Sequence, residues 1–332
     1  MIAAYVGCRH RHCMPAAASL LHNVGSMDEQ RFAYGGQAVL EGVMMRGRRQ
    51  ATVAVHRPNG ELALKHILVA AATRPAWMRL PIIRGLVGLR EAFAIGKQAL
   101  DFSASVAIDS DEGELSPLVQ GAIVVVALVV GIGVFVVLPS LIANIASQMG
   151  APVLLREAIE GGLNLSLVVG YIYAISRLRD IQRVFGYHGA EHKAINAYEA
   201  GAPLTVESVR GFTRIHPRCG TSFLVITALI GFVIFLLVSG LPLWQRIGAR
   251  IVLIPLVAAV ALEFLRFASA NYYRPWVRRL LAPTLATQYL TTREPDDAMI
   301  AAAIAALVPV LAADGVVAPA VAVSEHELAL ST

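Results

Sequence analysis

Two short motifs supply the side chains with the clearest metal-binding chemistry. An H-x-x-E-H motif spans residues 188–192, and an H-x-x-C motif spans residues 216–219. On a helix, His188 and His192 lie four residues apart on one face, with Glu191 beside them. Two imidazoles at this spacing can bind one zinc ion. His216 and Cys219 add two ligands that suit the same class of metal. The sequence therefore predicts a divalent metal site, with zinc as the expected ion.

The number of ligands bears on what the metal does. His188, His192, His216 and Cys219 together fill a tetrahedron, and closed four-ligand zinc sites are usually structural. A catalytic site keeps one position open, and Glu191 is then the general base that takes a proton from water. Cys219 as an activated nucleophile and His216 as an acid–base group are further alternatives. The motifs predict the site and leave its role open.

Two more carboxylates are candidates for this site. In H-x-x-E-H hydrolases a distant carboxylate completes the metal site, and Glu199 is the first candidate here. We expect the helix of the motif to run from about residue 188 to 200, which places Glu199 about 10 Å along the axis from His192. Glu199 therefore fits only if the helix breaks. Glu41, in the glycine-rich segment 35–47, is the second candidate.

Long apolar segments surround the motifs. Apolar residues make up 56% of the 332 residues, charged residues 15%, and the mean hydropathy is +0.62. Four segments are long and apolar enough to cross a membrane, at about 118–143, 163–175 (with a backward extension through 153–162 as an alternative), 222–243 and 251–267. We therefore predict an α-helical integral membrane protein with about four transmembrane helices.

The distribution of basic residues predicts the orientation. Arginine and lysine are frequent before the first span, in the segment 176–221 and after the fourth span, whereas the loops 144–162 and 244–250 carry only Arg156, Arg246 and Arg250. The positive-inside rule then places both termini and the metal-binding segment in the cytoplasm, with the protein in the inner (plasma) membrane. The arginines are dispersed, so we expect membrane lipid as the partner and no nucleic acid.

Four regions are expected along the chain. We expect residues 1–26, which contain no acidic residue, to be a disordered extension, and Met27 is an alternative start. A small metal-binding segment, in which Cys8 and Cys13 flank a His–Arg run, is the alternative. Residues 27–114 form a cytoplasmic, β-containing part with a hairpin turn at 58–60 and an interfacial helix at 81–100. Residues 115–270 form the membrane region, and residues 271–332 a cytoplasmic tail. A fifth span before Asp314 is disfavoured, because only about fourteen apolar residues precede it and Pro309 interrupts them.

Three motifs resemble the YqhQ-like family of bacterial membrane proteins, a domain of unknown function labelled as predicted metal-dependent enzymes. They are the glycine-rich segment 35–47, the Y-H-G-A-E-H-K sequence at 187–193 and the H-P-R-C-G-T-S-F sequence at 216–223. The resemblance covers about residues 30–310. It implies a multi-spanning membrane protein with a metal and no assigned substrate.

Three functions are weighed on these grounds. The first is a metal-dependent membrane enzyme, a hydrolase acting on a membrane-proximal or lipid-linked substrate. The second is a non-enzymatic scaffold in which zinc is structural. The third is a transporter, which is disfavoured because few ionisable residues fall within the spans.

Overall fold

The first described element of the computed structural model is a four-stranded antiparallel sheet in the order β1-β2-β3-β4. The structure describes residues 32, 34–69, 75–108 and 116–316. The expectations for residues 1–26 and for the end of the tail therefore lie outside the described residues. The strands are β1 (Gly35–Val39), β2 (Gly42–Arg46), β3 (Gln50–His56) and β4 (Leu62–Leu68). The predicted hairpin is confirmed as β3 and β4, and the glycine-rich segment forms the hairpin β1–β2.

Both faces of this sheet are covered by helices. Helix α1 (Ile83–Ile108) packs on one face, where Ile95 and Ala99 join Val53 and Val55 in a buried core. The C-terminal helix α10 (Asp297–Ala313) packs against β2 and β3 on the other side. This double cover explains why β2 and β3 are buried at almost every position instead of at alternate ones.

Among the described residues, four helical stretches are long and apolar enough to cross a membrane. They are Leu118–Gln148, Val153–Ile175, Gly220–Val238 and Leu243–Ala270. The first consists of α2 (Pro117–Ile132), a π-helical turn (Gly133–Val137) and α3 (Leu138–Gln148). The second is α4 (Val153–Ile175), the third α7 (Gly220–Phe235) with a 3-10 turn (Leu236–Val238), and the fourth α8 (Leu243–Ala270). In the first stretch the most apolar window has no buried residue, which fits a helix surrounded by lipid.

The remaining helices lie between and after these stretches. They are α5 (Arg179–Glu199), α6 (Val206–Arg210) and α9 (Pro275–Thr291). A short 3-10 helix at Ala76–Arg79 lies before the first stretch. Helix α5 contacts β1 and α10, and α9 packs against α7. The expected tail beyond residue 270 thus contains two packed helices. At 17 residues α10 is shorter than the four candidate spans, and its apolar side chains are buried in the protein.

One expectation from the sequence needs correction. Arg156, Arg246 and Arg250 were assigned to loops between spans, but the structure places them inside α4 and α8, where all three are buried. Glutamates on α4 and a serine on α3 hydrogen-bond to two of these arginines, Arg156 and Arg250. Such partners allow charged side chains to lie within an apolar helix pair, which residue-by-residue hydropathy cannot reveal.

Candidate metal centre

Helix α5 positions the two histidines of the first motif. It begins at Arg179, nine residues earlier than expected, and it ends without a break at Glu199. His188 and His192 therefore share one face, and their ring centroids lie 4.4 Å apart. Almost every residue from Gly186 to Ala197 is buried, because this part of α5 is enclosed by β1, α10 and the segment after α9.

Gly189, inside the motif, allows that segment to cross the helix. A Cβ atom at this position would lie 2.1 Å from the carbonyl oxygen of Arg293. The backbone N–H of Arg293 donates to the carbonyl of Phe185 at 2.8 Å, which fixes the crossing. Only glycine permits backbones to approach this closely. The glycine thus brings the end of α9 next to the histidines.

Cys219 reaches the histidines from the first turn of α7. It is the N-cap residue of α7, and its Sγ accepts a hydrogen bond from the Thr221 N–H at 3.4 Å. Sγ therefore lies at the positive end of the helix dipole. The loop that carries it folds back over α5, and Gln288 of α9 holds this loop by bonding both the N–H and the carbonyl of His216, at 2.9 and 2.8 Å.

His188, His192 and Cys219 form a compact cluster, named here the His–His–Cys trio. One ring nitrogen of each histidine and the cysteine sulfur lie within 4.8 Å of one another, and all three residues are buried. His188 Nε2 lies 3.2 Å from Sγ. Ligand atoms around a tetrahedral zinc ion are about 3.3–3.6 Å apart for Zn–N and Zn–S bonds of ordinary length. The spacing of this pair is close to that value.

Backbone carbonyls orient both imidazoles. The Nδ1–H of His188 donates to the Thr291 carbonyl at 2.8 Å, and that of His192 donates to the Arg214 carbonyl at 2.6 Å. Because a carbonyl only accepts, Nδ1 carries a proton in each ring, and Nε2 of the neutral imidazole is then the nitrogen that keeps its lone pair. His192 Nε2 is buried and has no hydrogen-bond partner among the described residues. Metal-binding histidines usually have this carbonyl on the second nitrogen, so the donor set fits a metal ion.

Glu191 is buried beside the trio. Burial raises the pKa of its carboxyl group, while the nearby His188 and His216 and a hydrogen bond from the Gly36 backbone act in the opposite direction. A Cβ atom on Gly36 would lie 3.1 Å from Glu191 Cγ, so β1 approaches the glutamate closely at this glycine. The carboxylate is thus held in a dry site between the sheet and the trio.

His216 adjoins the trio but is not part of it. Its ring centroid is 5.7 Å from that of His192, and the group of mutually close ligand atoms among the described residues does not include it. His216 Nε2 is buried and lies 3.5 Å from Glu199 Oε2, and it forms no hydrogen bond with any residue that the structure describes. Burial lowers the pKa of His216 to about 4, opposed by the charge of Glu191.

The two further carboxylates have other partners. Glu199 forms an ion pair with Arg218 and faces His216 instead of the trio. Glu41, at the β1–β2 turn, accepts a hydrogen bond from Arg183 Nε at 2.7 Å. Both carboxylates are therefore held by arginines outside the trio.

Sequence reasoning did not identify the groups that orient the trio. The carbonyls of Thr291 and Arg214 act through the backbone, so their side chains give no signal. Gln288 gives none either, because its complete burial in α9 is visible only in the structure, where buried amides almost always have specific partners.

Comparisons with known proteins agree with the resemblance carried by the motifs. A family model described as "Protein of unknown function (DUF1385)" matches residues 80–313, which include all four candidate spans and the trio. The chain is 36% identical over 290 residues to "Uncharacterized protein YqhQ" of Bacillus subtilis (strain 168), with 82% of this chain and 90% of that protein covered. No solved structure matches the chain.

Proposed function

The chain belongs to the DUF1385 family, and from the geometry of its His–His–Cys trio we propose that it is a metal-dependent membrane enzyme. The proposed reaction is hydrolysis of a lipid-linked or membrane-proximal substrate. The observation that carries the proposal is the pair of Nδ1–H to carbonyl hydrogen bonds, which turns both Nε2 atoms toward the cysteine sulfur. His188 Nε2 lies 3.2 Å from Sγ, and His192 Nε2 is buried with no hydrogen-bond partner among the described residues. Imidazoles in a purely structural core have no need of an unpartnered buried nitrogen.

The number of ligands supports catalysis over a closed structural site. His188, His192 and Cys219 are three ligands, and a catalytic zinc site has three protein ligands with a fourth position free for water or substrate. His216 lies next to the trio without joining it. When bound, a divalent metal supplies Lewis acidity toward water or the substrate oxygen.

Glu191 is the proposed general base. It is adjacent in sequence to His192, is 5% exposed, and its charge interacts with His188 and His216. A carboxylate in this position can take a proton from water and pass it to the leaving group. His216 can hold the substrate or the leaving group from the side of His192. Glu199 has no part in the proposed reaction, and its ion pair with Arg218 supports this.

The place of the site in the chain supports a membrane-proximal substrate. Cys219 caps α7, and α5 follows α4 after three residues, so the trio lies at the same end of two candidate spans. With the orientation that the basic residues predict, this end faces the cytoplasm. A substrate with an apolar anchor and a polar group at the membrane surface fits that position.

A structural zinc site is the second candidate. His188, His192 and Cys219 are only 9%, 1% and 4% exposed, and they connect α5 to the start of α7. Such burial is typical of a metal that stabilises a fold.

Cobalt substitution separates the two candidates without a known substrate. The protein is purified with Co²⁺, and its visible spectrum is recorded while acetohydroxamate is added. If one coordination position is open, binding of acetohydroxamate to the cobalt ion should change its d–d bands. The same change is expected in Glu191→Gln, since Glu191 is not a ligand. A spectrum that acetohydroxamate leaves unchanged would establish a closed site and reject the enzyme proposal.

A further inference from the structure

Five charged side chains are buried together at the other end of the candidate spans. Named here the arginine–glutamate cluster, they are Arg156, Glu157 and Glu160 of α4 and Arg246 and Arg250 of α8, each at most 7% exposed. Ionisable residues within membrane segments are costly, and they usually mark a functional site. This cluster is separate from the His–His–Cys trio, since it lies near the first residues of α4 and α8.

Arg250 is the centre of the cluster. Its Nη2 donates to Glu157 Oε2 at 2.6 Å, its Nη1 donates to Ser140 Oγ at 3.0 Å, and it forms an ion pair with Glu160. Arg156 Nη2 donates to Glu157 Oε1 at 2.8 Å. These bonds use both oxygens of Glu157 and one oxygen of Glu160.

The cluster nevertheless has more donors than acceptors. Arg246 Nε and Nη2 and Arg250 Nε have no hydrogen-bond partner among the described residues, and the only acceptor of the cluster in the same state is Glu160 Oε2. The charges are three arginines against two glutamates. Buried guanidinium groups without acceptors are strongly unfavourable. An anion with several oxygen atoms, such as a phosphate group, would supply the acceptors that these donors lack, and arginine binds phosphate well.

An apolar cavity begins at this cluster. It has a volume of about 330 Å³, and Glu157, Glu160 and Arg250 line one end of it. Its other lining residues are mainly apolar and include Val168, Phe232 and, at the far end, Ile172. From Glu157 to Ile172 the axis of α4 rises about 22 Å, which is most of the hydrocarbon thickness of a bilayer.

We propose that the cavity and the arginine–glutamate cluster form a binding site for one anionic phospholipid. The phosphate group accepts hydrogen bonds from Arg246 and Arg250, and one acyl chain occupies the cavity. Arg246 is three residues after the first residue of α8, about 4.5 Å along the axis. That depth suits a headgroup at the boundary of the hydrocarbon core, with the chain extending inward. This inference requires that the protein spans a membrane, as the proposed function states, but it does not require the metal.

Lipid binding by the full-length protein in detergent tests this site. Native mass spectrometry and thermal melting are measured with dioleoyl phosphatidylglycerol, with dioleoyl phosphatidylcholine and with sodium phosphate. For the wild type we expect retention of one phosphatidylglycerol, a preference on the order of tenfold over phosphatidylcholine, and a higher melting temperature with it. Equal stabilisation by both lipids, or by sodium phosphate alone, would overturn the proposal.

Arg246→Leu is the decisive variant, because Nε and Nη2 of Arg246 have no hydrogen-bond partner among the described residues. It should lose the preference for phosphatidylglycerol and melt lower than the wild type in that lipid. Without a bound anion, replacement of an unpaired buried charge by leucine should instead raise the melting temperature, and that result contradicts the site. Arg279→Leu, at an exposed position of α9, is the control for net charge and should keep the preference.

A second variant fills the cavity. Val168→Trp should exclude the acyl chain and abolish lipid retention, whereas Val233→Trp, on the exposed side of α7, should not. Retention of the lipid by folded Val168→Trp overturns the proposal, and if that variant does not fold, Arg246→Leu decides. The metal content of each variant is measured in parallel, so that failure here remains distinct from failure of the metal site.

Discussion

Each imidazole of the His–His–Cys trio donates its Nδ1–H to a backbone carbonyl, and its Nε2 faces the other members of the trio. Helical periodicity predicts that His188 and His192 share one face of α5, and the sequence placed His216 and Cys219 beside them because the connecting segment is long enough to fold back. The sequence could not predict that His216 stays outside. The position of His216 depends on Gln288, which lies 72 residues later in the chain and hydrogen-bonds to the His216 backbone. A single sequence carries no trace of such a contact.

Gly189→Ala should damage the site without touching a ligand. The added Cβ would lie 2.1 Å from Arg293 O, so the segment that carries the Thr291 carbonyl must move away from His188. We expect a loss of about 1–3 kcal/mol in the free energy of unfolding and weaker metal retention. Gly248→Ala in α8, where a Cβ meets no atom within 4 Å, is the matched control. Equal melting temperatures for the two variants would contradict the close approach at Gly189.

Glu199→Ala and Glu41→Ala should both retain the metal. Glu199 pairs with Arg218 and Glu41 with Arg183, and partly exposed ion pairs of this kind contribute about 1 kcal/mol or less. Metal content after dialysis against a weak chelator checks this, with His192→Ala as the variant that loses the metal. Loss of metal from Glu199→Ala would make Glu199 a ligand and require a broken α5.

Among the elements, α10 is the one whose role the sequence least revealed. The four apolar stretches and the β3–β4 hairpin were predicted because hydropathy and turn residues act locally. The alanine-rich segment after Asp296 was assigned to the cytoplasmic tail, and a fifth span there was disfavoured. Its cover of the sheet depends on partners more than 200 residues earlier in the chain, and an apolar 17-residue helix has the same composition whichever surface it covers.

Leu307→Ala should therefore destabilise the sheet as well as the helix. Leu307 is fully buried in α10, and removal of a buried leucine side chain costs about 2–5 kcal/mol. Leu68→Ala in β4, where the leucine is 86% exposed, should change stability by less than about 0.5 kcal/mol. Thermal melting followed by circular dichroism compares the two. A cost below 1 kcal/mol at Leu307 would be inconsistent with α10 as a core element.

At the scale of the whole molecule, the proposal places two sites at opposite ends of the same helices. The trio is near the last residues of α4 and the first of α7, and the arginine–glutamate cluster is near the first residues of α4 and α8. The second site could not be predicted, because the sequence placed Arg156, Arg246 and Arg250 in loops. A single sequence shows which residues are charged but not which of them form ion pairs within the helices. The predicted orientation does not depend on these three arginines, since the basic residues on the predicted cytoplasmic side are far more numerous.

Reporter tags test this orientation. A tag after Ala200, at the end of α5, should be cytoplasmic, and a tag after Gly150, in the turn between α3 and α4, should be on the opposite side. Accessibility of each tag to a membrane-impermeant label in intact cells gives the answer. A label that reaches the tag after Ala200 would move the metal site to the outer face and exclude a cytoplasmic substrate.

Metal stoichiometry of the purified full-length protein tests the central claim most directly. Elemental analysis is carried out on the wild type, Glu191→Gln and His192→Ala after dialysis against a weak chelator. We predict about one zinc ion per chain in the wild type and in Glu191→Gln, since the glutamate is not a ligand, and loss of the metal in His192→Ala. A folded wild-type protein without stoichiometric metal, or a His192→Ala variant that keeps it, would contradict the assignment of the trio.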